Sequence, residues 1–140
     1  MNVAHNYLWL AKMVLEGLLF LWPITVTLLL FMSFTSYFRF PFTPSNFRRK
    51  YLFVFSPFLL SILLLLIGTL AAAVGPTADV SKSAEILIGI LFWLHIPVSL
   101  IVVYNLKGYR WFAASVVLFA FWIGISCSFI TGMAVTDKWP

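Results

Sequence analysis

Residues 52–74 read LFVFSPFLLSILLLLIGTLAAAV, without one charged side chain. At 1.5 Å of rise per residue, ~20 mainly apolar residues cross the ~30 Å hydrocarbon core of a bilayer. Inside hydrocarbon every peptide N–H and C=O needs a partner within the protein, and a single segment meets that need as a helix. This stretch therefore fixes the solvent as well as the secondary structure.

Outward from it the same pattern recurs. Further apolar runs extend from about Met13 to Met32, about Ala84 to Tyr104 and about Trp111 to Ala134. They alternate too little for barrel strands and carry too few charges for water-exposed helices. Hydrophobic residues make up 63% of the chain and charged residues 9%, against roughly 45–50% and 25% in soluble domains. Mean hydropathy is +1.05. The expectation is an all-α integral membrane protein: one membrane domain over 1–140, built as an up-down bundle of four transmembrane helices. The first run is expected to be a retained helix rather than a signal peptide. Met1–Leu10 lacks Lys and Arg, the run is long, and no small-residue cleavage site follows it.

Charge sets an expected orientation. The connection 33–51 holds Arg39, Arg48, Arg49 and Lys50, and the connection 105–110 holds Lys107 and Arg110, with no acid in either. The opposite side holds Lys12, Lys82 and Lys138 beside Glu16, Asp79, Glu85 and Asp137. Short basic loops stay cytoplasmic, so both termini are expected outside, periplasmic in a bacterial cytoplasmic (inner) membrane. Trp9, Trp111 and Trp139 suit the headgroup levels. The net charge of +5 then reflects loops against anionic headgroups rather than a nucleic-acid partner.

The connection SFTSYFRFPFTPSNFRRKY at 33–51 interleaves Phe34, Phe38, Phe40, Phe42 and Phe47 with its basic residues and includes Pro41 and Pro44. Lipid anchoring explains this economically, with rings in the acyl boundary and Arg39, Arg48, Arg49 and Lys50 among headgroups. A docking surface for a partner subunit is the sharper reading. The remaining connections are turn chemistry around Gly75, Pro76 and Gly108. FLWPITV at 20–26 and FWLHIPVSL at 92–100 echo each other as Trp shortly before Pro. Both residues are common in membrane helices, so chance accounts for the echo.

Few residues offer chemistry. His95 falls near mid-membrane, where a titratable group is a functional candidate by default. Pro97 removes a helix bond and leaves the carbonyl of Trp93 free. His95 and Trp93 are thus candidate contacts for a haem, chlorin or quinone, although His5, outside the membrane, supplies no second ligand at that depth. The plainer reading is a neutral imidazole bonded to a carbonyl or to a Ser or Thr of a neighbouring helix. Lys12 and Glu16 form an i, i+4 pair at the outer end of the first run. Glu16 is a candidate coupling carboxylate for transport, or simply half of a peripheral ion pair. Ala120, Gly124, Ser128 and Gly132 place a small residue every four positions, which permits close helix approach. Gly68 and Ala72 do the same on the second run. Trp22, Trp93 and Trp122 also fall near mid-membrane and read most simply as core filling. Pro23 beside Trp22 is expected to kink the first run.

Cys127 is the single cysteine, so no internal disulfide or thiol pair exists. No metal cluster pattern, phosphate loop or Ser–His–Asp set occurs locally. The sequence therefore points to no enzyme. It points to a small structural or accessory subunit of a larger membrane complex, with lipid and other membrane subunits as partners. The rival expectations are a homo-oligomeric proton-coupled transporter or channel using Glu16, and a redox subunit using His95. No particular cofactor is specified.

Overall fold

A computed structural model describes residues 3–39, 53–74, 78–106 and 109–136, with side chains excepted at 36–39 and 78–81. Among the described residues there are five long helices and no strand: α1 (Val3–Phe20), α2 (Trp22–Arg39), α3 (Ser56–Val74), α4 (Ala78–Asn105) and α5 (Arg110–Thr136). Three are long and apolar enough to cross a membrane: α3, α4 over Lys82–Asn105, and α5. A fourth span results if α1 and α2 are taken together. The charged connection through Arg48, Arg49 and Lys50, the turns at Gly75, Pro76 and Gly108, and Trp139 lie outside the described residues. Arg39 closes α2.

α5 is the centre and packs against each of the other four helices. Its buried line runs through Ala113, Val116, Ala120, Gly124, Cys127 and Thr131, near the 3.6-residue period of a helix face. α3 runs parallel to α5: Ser61 and Gly124 meet at His95, and seven residues further along both chains Gly68 faces Thr131. α4 runs antiparallel to both. Two apolar clusters fill the bundle. One gathers Leu10, Val14, Leu64, Ile88, Cys127 and Ile130 toward the Thr136 end. The other gathers Val54, Val102, Leu106, Phe112, Ala113 and Val116 toward the Arg110 end.

The first apolar run behaves differently from the single kinked helix expected over about 13–32. α1 and α2 meet at Leu21 at an angle of 87°. Pro23 explains where. It has no N–H to bond the carbonyl of Leu19, and it suits the first turn of a helix, where no such bond is needed. A new helix therefore begins around it, with Ile24 and Thr25 donating to the Leu21 carbonyl at 3.1 and 3.2 Å. The Thr25 hydroxyl takes the Leu18 carbonyl freed at the corner, at 3.0 Å. The Trp122 indole N–H then donates to Thr25 Oγ1 at 3.2 Å, tying the corner to the middle of α5. At the other end of α2, Thr35 and Ser115 share a hydrogen bond of 2.8 Å.

Candidate functional site

His95 lies between the two apolar clusters and is completely buried. Its ring is held from both sides by this chain. Nδ1 lies 3.1 Å from the Leu91 carbonyl one turn earlier. A carbonyl only accepts, so Nδ1 carries the proton. Nε2 lies 3.3 Å from Ser61 Oγ on α3, and in the neutral tautomer it accepts from that hydroxyl. The third wall is Gly124 on α5, where an added Cβ would stand 2.9 Å from Nε2. Phe92 and Phe121 flank the ring at centroid distances of 6.3 and 6.4 Å. Gly124 is thus the residue that makes room for the imidazole, and the space at Nε2 is already occupied by protein.

Trp93 does not join His95. Two residues on, a helix has turned by about 200°, and Trp93 points out of the bundle, 67% exposed, with Phe92 edge-on at 6.2 Å. The structure therefore separates the two residues expected to share a cofactor pocket. Trp22 is likewise outward at 61% exposure. Core filling holds for Trp122 alone, which is half-buried and bonded to Thr25. The sequence supplied their positions along the helices, but not which way each faced around its helix.

Lys12 and Glu16 form the expected pair, Nζ to Oε1 at 3.6 Å, with side chains 71% and 54% exposed. Glu16 is on the surface, far in sequence and in setting from the buried His95. Among the described residues no group of three or more His, Cys, Asp or Glu is placed to hold a metal ion. Of the basic set Arg39, Arg48, Arg49 and Lys50, the last three lie outside the described residues and Arg39 is placed only as the end of α2.

The small-residue row on α5 splits. Ala120 and Gly124 are buried in the seam. Ser128 is half-buried and bonds back to the Gly124 carbonyl at 2.9 Å. Gly132 has nothing within 4 Å of an added Cβ. Each four-residue step advances about 40° beyond a full turn, so a period of four drifts off the seam. The close approach continues instead at Thr131, whose Cγ2 an added Cβ on Gly68 would strike. Thr131 Oγ1 also donates to the Leu64 carbonyl at 3.5 Å. The residues missed by sequence reasoning are the hydroxyl partners Ser61, Thr25, Thr35 and Ser115. Ser and Thr are frequent inter-helix donors in membranes, but their partners sit 34 to 97 positions away.

No known family, curated protein or solved structure matches the chain.

Proposed function

We propose that this chain is a small multi-pass subunit of a larger membrane protein complex, structural or accessory rather than catalytic. It crosses the bacterial cytoplasmic membrane four times, the first crossing made within the α1–α2 segment, with both termini outside. The basic connections are held at the anionic inner leaflet.

One observation carries the subunit reading. The span Lys82–Asn105 has its centre at Trp93–Leu94, and Trp93 stands there 67% exposed. An indole N–H prefers the wet interface, and hydrocarbon offers it no acceptor. Trp122, at similar depth on α5, has Thr25 as its acceptor. A neighbouring subunit's helix supplies Trp93 with an acceptor and a packing surface. The buried His95 fits this reading, because both ring nitrogens are engaged inside the chain.

Photo-crosslinking tests it. A benzoylphenylalanine in place of Trp93 is expected to give one discrete adduct with a different membrane protein, which also co-migrates with the chain on native gels. The same group in place of Leu59, exposed on α3, serves as comparison. Lipid adducts alone at position 93, together with a native mass of a monomer or homo-oligomer, would overturn the proposal.

A further inference from the structure

We infer that α1 does not cross the membrane but lies along its outer interface, with one flank among lipid headgroups and the other against acyl chains. This rests on the membrane placement above, and not on the partner subunit.

The direction of α1 follows from its neighbour. α2 is pinned along α5 at Thr25–Trp122 and at Thr35–Ser115. α1 departs from α2 at 87°, so it runs across the bundle rather than up it. It packs on both α3 and α5.

Its depth follows from α5. An added Cβ on Gly17 would lie 3.8 Å from Ile130 Cδ1. Ile130 is six residues before the end of α5 at Thr136, or about 9 Å along the axis. The 27 residues of α5 extend about 40 Å, so, centred upright across ~30 Å of hydrocarbon, each end overhangs by about 5 Å. α1 then lies about 4 Å inside the hydrocarbon boundary, close to the ~5–10 Å typical of interfacial helices.

Its faces agree. Asn6, Leu10 and Val14 form the buried line. At about 100° per residue, one flank of that line carries His5, Trp9, Lys12 and Glu16. The other carries Ala4, Leu8, Ala11 and Leu15, without a charge. A helix standing upright in lipid would turn Lys12 and Glu16 into hydrocarbon, whereas a helix lying flat offers them water. The uncharged flank borders an apolar groove of about 520 Å³ formed by Ala4, Tyr7 and Leu8 with Leu66, Thr69 and Leu70 of α3, a shape that suits an acyl chain. Asn6 adds a further observation. It is 2% exposed and neither amide atom has a hydrogen-bond partner. Such an amide is far costlier at mid-membrane than beside the wet interface.

Depth measurement by spin labels tests this in nanodiscs of phosphatidylcholine and phosphatidylglycerol. Labels go on His5→Cys, Lys12→Cys and Glu16→Cys, all at exposed positions; Cys127 is buried and stays in place. The expected result is a common shallow depth, equal to within about 5 Å, with Leu8→Cys and Leu15→Cys deeper than Lys12→Cys. An upright helix gives a steady gradient instead, about 16 Å between positions 5 and 16, and that result overturns the inference. Leu94→Cys, at the centre of the span Lys82–Asn105, is the reference for the membrane itself. If it reads as shallow as Lys12→Cys, the membrane placement fails rather than the lie of α1.

Discussion

Replacing Gly124 with alanine is the sharpest probe of the buried layer. The new methyl would sit 2.9 Å from His95 Nε2, 3.2 Å from Cδ2 and 3.3 Å from Cε1. Ordinary contact begins near 3.4 Å, so the ring or the helix must yield by about half an ångström. Neither yields freely. The imidazole is tied to the Leu91 carbonyl and to Ser61, and Gly124 lies in the seam of the most connected helix. Overpacking of this kind costs about 1–3 kcal/mol. Alanine returns up to about 1 kcal/mol through its better helix propensity. The net expectation is a loss of about 1–2 kcal/mol, read from unfolding in mixed micelles followed by near-ultraviolet circular dichroism. The double variant isolates the cause. In a His95→Ala background the methyl has room, so Gly124→Ala is expected to be neutral or stabilising there, a coupling of at least about 1 kcal/mol. An equal cost in both backgrounds would show that His95 and Gly124 do not share this space.

Three further outcomes follow from the same seams and are read by the same unfolding assay. Gly132→Ala, with nothing near its added carbon, is expected to be neutral or to stabilise by up to about 1 kcal/mol, whereas Gly68→Ala meets Thr131 and is expected to destabilise; the reverse order would refute the assignment of the seam. Thr25→Val removes the hydroxyl shared by the Leu18 carbonyl and the Trp122 indole and is expected to cost about 1–2 kcal/mol, with a change in Trp122 fluorescence; an unchanged spectrum and stability would remove the corner from its role. Lys12→Gln breaks an exposed i, i+4 pair, so its expected cost is below about 0.5 kcal/mol, and a loss above about 1 kcal/mol would contradict the exposed setting.

The spans were legible because hydrocarbon imposes a one-dimensional rule. A run without charge from Leu52 to Val74 needs no knowledge of its neighbours to be a helix, and α3 occupies Ser56–Val74. What surrounds each helix is a two-dimensional matter, and there the sequence is weaker. Trp93 and His95 lie two positions apart on α4 but face opposite ways, because two residues on a helix are more than half a turn apart. Ser61 was one of several hydroxyls able to reach His95. Only packing against Gly124, whose missing side chain admits the ring, selects it. The four-residue row ending at Gly132 resembled a seam because small residues recur. The true seam follows the 3.6-residue period and passes through Thr131, which a strict spacing of four from Ala120 skips.

The corner at Leu21 shows the same division between local and remote causes. Pro23 is local: it dictates that a helix bond is lost and that a first turn is a comfortable place to lose it. That alone permits a shallow kink as readily as a right angle. The angle is held by Thr25, which serves the Leu18 carbonyl in front of it and accepts from Trp122 at a distance of 97 residues in sequence. A second pressure acts in the same direction. Lys12 and Glu16 lie within the 18 residues of α1, and charged side chains in hydrocarbon are expensive. Turning α1 aside leaves both at the surface while keeping Leu10 and Val14 in the core. The break thus serves two demands of one segment, apolar contact with the bundle and water for an ion pair.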